Sequence, residues 1–315
     1  MMACRFLIFL CCIICSSWVF SDSTFSGSVG LELRAFTEES DTSISGFLNP
    51  EWQWSSSDGA IFFELDAFIR KDDLDSKRSD SDIREALLTY SAGSWELSAG
   101  IGKVFWGVTE SNHLVDVINQ TDLSTSPDGE TKLGQTMLRW STSQGWGIVD
   151  VFLLPTFRER RFSDIESPLS AGLAVSEEAL YESSSEDKHL DFALRYSQFF
   201  GDWDVGVYYF EGTNREPILL ATDNLSGQFT PFYDQISQAG LSVQATIDAW
   251  LWKLELIHRN DSLASFEAAV GGLEYTRFGI FESAADLGFL FEYNYDNRSL
   301  NMASLLQDDY LLASD

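Results

Sequence analysis

The stretch Trp95–Trp140 reads WELSAGIGKVFWGVTESNHLVDVINQTDLSTSPDGETKLGQTMLRW. It begins with a short segment in which apolar and polar side chains alternate. It then runs through a Trp-Gly pair into a long polar loop and returns as a second alternating segment. Period-two alternation is the pattern of a β-strand with two different faces. The stretch therefore predicts two strands joined by the long loop 104–133.

The same alternation recurs along the chain. Between Ala60 and Arg70 the odd-numbered residues are all apolar, and the even-numbered ones mix phenylalanine with carboxylates and an arginine. In a soluble sandwich the charged face would lie outside, whereas in a membrane barrel the apolar face meets lipid and the charged face meets the lumen. The alternating segments are about as long as a tilted bilayer-crossing strand of roughly 9–11 residues.

The connections between these segments are alternately short and long. The short ones are rich in turn-forming residues: Ser55–Gly59, Ser91–Ser94, Thr142–Gly145 and Phe200–Asp202. The long ones are polar or charged: Lys71–Ser81, Val104–Leu133, Thr156–Lys188 and Gly212–Ser237. Outer-membrane barrels sort their connections in this way. We therefore predict an all-β fold, an antiparallel transmembrane β-barrel of about 14 or more strands with short periplasmic turns and long external loops.

Seven ascending strands can be counted from the sequence, and tryptophans cluster near their ends, where interfacial rings are favoured. The seven are Val29–Phe36, Ala60–Arg70, Trp95–Lys103, Trp146–Pro155, Trp203–Glu211, Ala249–Arg259 and Ala285–Tyr295. A further strand opens at Asp309–Asp315, so the barrel domain 22–315 is expected to be incomplete at its C-terminus. The pair Gly271–Gly272 predicts a bulge or bend within a strand.

The N-terminus predicts a secretory signal peptide over residues 1–21. One basic residue, Arg5, precedes the apolar run FLIFLCCIICSSWVF, and cleavage is expected near Ser21. A membrane anchor fits less well because the run is short for a span of about 20 residues. All four cysteines lie inside this segment, so the remaining chain has neither a disulfide nor a cysteine metal site.

Composition and motifs limit the function classes. A formal net charge of −29 argues against nucleic acid as a partner, because phosphates would be repelled. The acidic segment Lys71–Asp82 lacks the central glycine and terminal glutamate of a calcium loop. A barrel hydrolase would need a Ser–His pair held at a rim, and Ser111 with His113 are too close in sequence to suggest one. We predict no enzyme activity, no metal site and no cofactor.

The Trp-Gly stretch resembles a signature of porin-like outer-membrane barrels of Gram-negative bacteria. That signature runs from a Gly-Arg/Lys strand into Trp-Gly, an acidic residue, an Asp and then Asn-Pro-x-Asp. The matching residues, over about 20 positions, are Gly102, Lys103, Trp106, Gly107, Glu110, Asp116, Asn119 and Asp122. Gln120 stands where the family often has proline. The resemblance implies that this third external loop bends into the lumen and narrows it.

Side-chain chemistry independently favours an inward loop. An apolar patch, Leu114, Val115, Val117 and Ile118, lies in an otherwise polar loop and would pack on a wall. Glu110, Asp116 and Asp122 would face cations in a narrow pore. Basic residues on predicted lumen faces are Arg34, Arg70, Arg139, Arg195, Lys253 and Arg259. Arg84 and Lys103 share parity with apolar neighbours and are expected at strand ends.

Two interpretations of the lumen charges stay open. An acidic loop opposite a basic wall would create a charge-selective constriction. Alternatively, the basic residues merely pair with wall acids to satisfy a polar interior. The wall acids concerned are Glu32, Glu64, Asp66, Asp150 and Asp191.

Three functions are compatible with the sequence. The first is a porin-like channel in the cell outer membrane that passes small hydrophilic solutes or ions by diffusion. The second is a substrate-specific transporter of a polymer or anionic saccharide, which a continuous basic track would favour. The third is a closed structural or adhesive barrel, which a lumen filled by paired charges would favour. The expected partners are outer-membrane lipid and small solutes, and a homo-oligomer is compatible with the pattern.

Overall fold

Strands account for most of the chain. A computed structural model describes residues 7–20, 22–36, 42–170, 172–221, 228–280, 283–298 and 310–314, with side chains for all of these ranges except the first and last. Among these described residues, two short 3-10 helices, Ser76–Arg78 and Glu186–Lys188, interrupt the strands. Within the described ranges, no helix has the length and apolar character needed to span a membrane.

The strands, in chain order, are β1 (Leu7–Phe20), β2 (Ser23–Phe36), β3 (Thr42–Ser55), β4 (Ile61–Asp72), β5 (Asp80–Ala92), β6 (Trp95–Gly102), β7 (Gln135–Gln144), β8 (Gly147–Leu154), β9 (Ala174–Val175), β10 (Leu180–Tyr181), β11 (Asp191–Phe200), β12 (Trp203–Thr213), β13 (Ile218–Ala221), β14 (Gln228–Tyr233), β15 (Gln235–Ile247), β16 (Trp250–Asn260), β17 (Ser265–Arg277), β18 (Leu287–Asp296) and β19 (Tyr310–Ser314).

Fifteen of these strands form one sheet in which each strand pairs with the next along the chain. The order runs β1 to β8, then β11, β12 and β15 to β19, and the pairing is antiparallel throughout. All seven ascending strands predicted from the sequence are confirmed. In the described part of the chain the edge strands β1 and β19 are not paired with each other, so the observed pairing does not by itself close the sheet into a barrel.

The segment predicted as signal peptide forms β1, which pairs with β2 from Leu7 opposite Phe36 to Phe20 opposite Ser23. This pairing does not bear on whether the segment is removed in the cell. The division into residues 1–21 and 22–315 therefore stays a prediction.

The two faces of the sheet are the reverse of those in a soluble protein. On β2 the side chain of Leu31 is 63% exposed and that of Glu32 is 3% exposed; on β18 the values are 41% for Phe291 and 0% for Glu292. Soluble proteins bury leucine and phenylalanine and expose glutamate. A continuous apolar outer face is the arrangement that meets lipid, and a polar inner face is the arrangement that meets a lumen.

Most connections at one end are short, with residues 278–286 the exception, and the longest connections, after β6, β8 and β12, all lie at the other end. Exposed tryptophans border four of the short turns: Trp95, Trp146, Trp203 and Trp250. Trp146 stacks on Tyr196 with ring centroids 6.2 Å apart, and Trp250 contacts Tyr275 at 4.6 Å. These rings form an aromatic border on the outer face, as the sequence predicts. At the other end, β9, β10, β13 and β14 form a small separate sheet that joins two long loops.

The predicted bulge at Gly271–Gly272 is wrong, because β17 pairs in unbroken register with both β16 and β18. A Cβ at residue 272 would collide with the Phe291 carbonyl and lie 2.5 Å from Glu292 Cγ. Glycine at position 272 is therefore explained by the close approach of Glu292.

The described register shift lies instead between β4 and β5, where Asp66 faces Glu85 but Ala67 faces Ile83. Arg84 is the extra residue of this bulge, and its guanidinium lies 3.6 Å from the centroid of the buried Phe68 ring. Phe68 belongs to the inner face, so the expectation that Arg84 lies at a strand end is wrong. Lys103 does directly follow the end of β6, as predicted.

Candidate functional site

The loop 103–134 leaves β6 and makes contact with distant strands of the same sheet. β6 is sixth in the sheet order, whereas β16 and β18, which hold the loop, are twelfth and fourteenth. A loop can bridge such distant strands only where the sheet curves around it. The loop therefore lies on the concave, polar side of the sheet.

Glu255 on β16 is the first of two wall carboxylates that bind the loop backbone. Its Oε1 accepts hydrogen bonds from Val108 N at 2.7 Å, Thr109 N at 3.1 Å and Thr109 Oγ1 at 2.8 Å. Its Oε2 accepts from Val115 N at 3.2 Å. The Glu255 side chain is fully buried. Successive backbone N–H groups around one anion stabilise it, and these bonds are charge-assisted.

Glu292 on β18 is the second carboxylate and binds the next residues of the loop. It accepts hydrogen bonds from Glu110 N at 2.9 Å and Ser111 N at 2.7 Å. The neighbouring Asn294 donates from Nδ2 to Ser111 Oγ at 3.0 Å. The missing side chain at Gly272 leaves room for Glu292 to occupy this position. Together the two carboxylates fix segment 108–115 against the wall opposite its origin.

Apolar contacts support the same placement. Val115, Val117 and Ile118 are buried in one cluster with wall residues such as Phe152 and Phe210, and Leu114 packs against it. The predicted apolar patch thus packs on the wall. Burial of each such side chain contributes about 1.5–3 kcal/mol.

Trp106, from the predicted constriction loop, is buried in this cluster. Its ring centroid lies 5.1 Å from that of Tyr208 and 5.7 Å from that of Phe152. The Arg195 guanidinium lies 5.6 Å from the same ring. Trp106 is therefore a packing anchor of the loop.

Asn119 closes the neck of the loop. Its Oδ1 accepts from Val104 N at 2.8 Å, and its Nδ2 donates to the carbonyls of Gly102 and Leu133, each at 2.9 Å. Gly107 lies at a tight crossing, because a Cβ there would be 2.8 Å from His113 Nδ1. Asn119 therefore holds the two ends of the loop together, and Gly107 allows the backbone to pass close to His113.

The expectation that Asp116 and Asp122 face cations in a pore is corrected by the structure. Asp116 Oδ1 accepts from Trp106 N at 2.6 Å and Gly107 N at 3.0 Å, and burial raises the pKa of this carboxyl. Asp122 is buried and accepts from Ser124 N at 3.1 Å. Backbone N–H groups without ladder partners need acceptors, and these two carboxylates supply them.

Glu110 differs from these two aspartates. Its carboxylate is about half exposed, and Oε1 lies 2.6 Å from Lys253 Nζ. Lys253 also pairs with Glu274. Of the three predicted loop acids, Glu110 is the one that meets a predicted wall base.

The other predicted basic residues are spread around the wall and mostly paired. Arg34 pairs with Glu32, which also lies 3.7 Å from Arg70. Arg139 pairs with Asp150 at 2.6 Å. The pairing expected for Glu32 and Asp150 is thus present, whereas Asp191 pairs with Arg215 at 2.6 Å.

Arg259 lies 2.9 Å from Glu216, in the loop after β12. Its positive charge lowers the Glu216 pKa to about 2. The predicted basic residues therefore do not converge on a single constriction. Arg34 and Arg139 pair with wall acids, as the second interpretation of the charges expects, whereas Lys253 and Arg259 also meet carboxylates of the loops.

Several residues that position the loop were not identified from the sequence. Arg78 donates to the carbonyls of Ser124 at 2.9 Å and Thr125 at 2.7 Å, and its Nε bonds Asp72 at 3.0 Å. Arg78 therefore anchors the loop on the β2–β4 side, while Glu255 and Glu292 anchor it on the opposite side. Strand parity places Glu255 and Glu292 inside, but no sequence signal pairs them with the loop.

A second loop, 155–190, packs against the first. Leu123 N donates to the Arg161 carbonyl at 3.0 Å, and Arg160 Nε donates to Gln120 Oε1 at 3.2 Å. Arg158 ties this second loop to Asp82 on β5 at 2.9 Å. Two long loops therefore share the interior at the same end of the sheet.

His258 and Ser265 form a Ser–His pair of the kind that a barrel hydrolase would need. His258 Nε2 lies 3.4 Å from Ser265 Oγ, and Nδ1 lies 3.2 Å from Glu267 Oε1. All three lie near strand ends, and His258 and Glu267 are exposed. The Ser–His separation exceeds the roughly 2.6–3.2 Å reach of an activated nucleophile. Absence of enzyme activity stays a prediction.

Comparisons with known proteins give no family. No protein-family model matches the chain, and no curated protein matches it. Among solved structures, the chain is similar to in-vitro folded OmpT, an outer membrane protein of Vibrio cholerae in trimer form, with 12% identity, a TM-score of 0.45, and coverage of 98% of this chain and 81% of that one.

Outer-membrane expressed OmpT of Vibrio cholerae gives 12% identity and a TM-score of 0.49, over 94% of this chain and 81% of that one. A porin refined at 1.8 Å gives 11% identity and a TM-score of 0.32, over 89% and 96%. At these identities and TM-scores the similarities carry no functional inference.

Proposed function

We propose that the chain forms an outer-membrane β-barrel that acts as a porin-like channel. Loop 104–133 folds into its lumen and narrows the path for small hydrophilic solutes or ions. One observation carries this proposal: Glu255 and Glu292 bind the loop backbone on the polar side of a sheet whose outer face is apolar. An inward loop of this kind reduces a wide lumen to a narrower passage.

The apolar outer face, with its tryptophan border, supports lipid as the main partner. Leu31, Leu33 and Phe289 are among the exposed side chains on this face. Backbone N–H and C=O groups inside a bilayer must be paired within the protein, and a closed sheet achieves this. Closure, the outer-membrane location and removal of residues 1–21 belong together in the proposal. A homo-oligomer is compatible with it.

Passive passage is favoured over a polymer transporter. A polymer track would need a continuous row of free bases, whereas Arg34, Arg139 and Lys253 each have an acidic partner. Paired charges leave only a weak local field, so size exclusion by the loop would dominate over charge selection.

A closed structural barrel is the second candidate, and a specific observation favours it. Charge pairs fill much of the described interior, and the loop packs tightly on the wall through Trp106 and Ile118. Such a barrel would act through its long external loops and would not conduct.

Single-channel conductance in a planar lipid bilayer separates the two. The intact protein is compared with a variant that lacks residues 111–128, and a gel-mobility shift on heating confirms folding of both. Stable openings that enlarge in the deletion variant support the narrowed channel. Absence of conductance from both folded proteins overturns the channel and leaves the closed barrel.

A further inference from the structure

A cleft of about 300 Å³ lies beside the start of the constriction loop. Its charged lining is Arg84 from β5, Lys103 after β6, and Glu130 and Lys132 from the returning arm of the loop. Arg84 reaches this place because the bulge between β4 and β5 turns it inward. Three cations therefore border one cleft, and none belongs to the bases that strand parity assigns to the lumen.

Two of these cations lack a carboxylate partner. In the described residues neither Arg84 nor Lys132 has an acidic oxygen within 4.0 Å; Arg84 stacks on Phe68, and Lys132 donates to Thr121 Oγ1 at 3.0 Å. The nearby acids already have partners, since Asp66 lies 3.6 Å from Lys103 and Glu130 lies 3.2 Å from His113 Nε2. Arg34, Arg139 and Lys253, in contrast, are paired.

The cleft also has an apolar wall. Phe105 is 60% exposed although it lies in the loop that packs on the polar side of the sheet. The ring of His113 packs against that of Phe105, with the two centroids 4.9 Å apart, and Val104 lies beside Phe105 in the cleft lining. An exposed aromatic face next to unpaired cations suits a solute that has both an anionic and a flat apolar part.

We propose that this cleft binds small organic anions that carry a flat apolar group, with aromatic carboxylates as the simplest class. The solute's carboxylate accepts hydrogen bonds from the forked N–H groups of the Arg84 guanidinium and from the compact Lys132 ammonium. The ring of the solute packs on Phe105. The inference rests on the proposed function, because such a solute would reach the cleft through the lumen.

Single-channel current with benzoate in the bath tests the cleft. Benzoate should reduce the open-channel current in a saturable way. Acetate, which lacks the ring, should need about tenfold higher concentration, and benzylammonium, which reverses the charge, should not reduce the current. Benzoate that acts no more strongly than acetate overturns the proposal.

Variants assign the effect to residues. The double variant Arg84→Gln with Lys132→Gln should raise the half-blocking benzoate concentration at least about tenfold. Phe105→Ala should raise the half-blocking benzoate concentration until it is close to that of acetate. Lys188→Gln, which removes an exposed lysine outside the cleft, should leave benzoate block unchanged. Equal block in the double variant and the intact protein contradicts the assignment.

The two proposals fail in different ways. If the folded protein does not conduct, the channel is overturned, and calorimetric titration of benzoate into detergent-folded protein tests the cleft by itself. Heat of binding that disappears in the double variant but not in Lys188→Gln supports the cleft. No heat from the intact protein refutes it.

Discussion

Glu255→Gln is the sharpest perturbation of the loop, because one buried carboxylate accepts four hydrogen bonds from it. Glutamine keeps one oxygen for the three donors at Oε1 but turns an amide Nε2 toward Val115 N, where donor meets donor. Bonds to a charged acceptor contribute about 1.5–3 kcal/mol and neutral ones about 0.5–1.5 kcal/mol.

Weakening three bonds and losing the fourth destabilises the docked loop, and part of this is offset because a buried charge is removed. The net loss is about 3 kcal/mol. That shifts the equilibrium between docked and undocked loop by roughly two orders of magnitude. In a planar bilayer, Glu255→Gln should therefore show excursions to a larger conductance far more often than the intact protein.

Glu211→Gln is the matched control, since Glu211 lies on an outward position of β12 and is exposed. It should conduct as the intact protein does. A folded Glu255→Gln channel with unaltered conductance and noise would refute the idea that this carboxylate holds the loop.

Three further predictions follow from the same geometry. Gly272→Val should lower the yield of heat-modifiable folded protein, because its side chain would collide with the Phe291 carbonyl and Glu292; equal yield would contradict the close packing. The Glu216 pKa is depressed to about 2 by Arg259, so its stabilising contribution is complete above the ordinary pKa of 4.5 and is lost as pH falls toward 2. Acid unfolding in that window should therefore shift in Arg259→Gln but not in the exposed-site variant Lys188→Gln. The purified protein should hydrolyse esters only at the background rate, and Ser265→Ala should not change that rate. Hydrolysis by the intact protein that this variant abolishes would overturn the prediction of no enzyme.

Strand positions could be read from the sequence because each strand carries its own two-faced pattern. The alternation around Leu31 and Glu32, or Phe291 and Glu292, needs no knowledge of distant residues. The same parity placed Lys253 and Arg259 inside. Turn chemistry then separated short from long connections.

Long-range contacts could not be read in this way. Parity puts Glu255 on the inner face but does not state which backbone it meets, because that depends on how the sheet curves. A single bulge reverses parity, which is why Arg84 was misplaced. The sequence shows the charge of Asp116 and Asp122 and so predicts a pore lining, while the N–H groups that bind them become visible only in the folded loop.

The wall carboxylates that hold the loop also imply an order of assembly. Val108 and Glu255 are 147 residues apart in sequence, and Glu110 and Glu292 are 182 residues apart. Contacts between such distant residues form late, because a long chain segment must be closed first. The amides of segment 108–115 have no acceptor on the wall until β16 and β18 have joined the sheet. We therefore expect docking of the loop on the inner face to be one of the last events in folding.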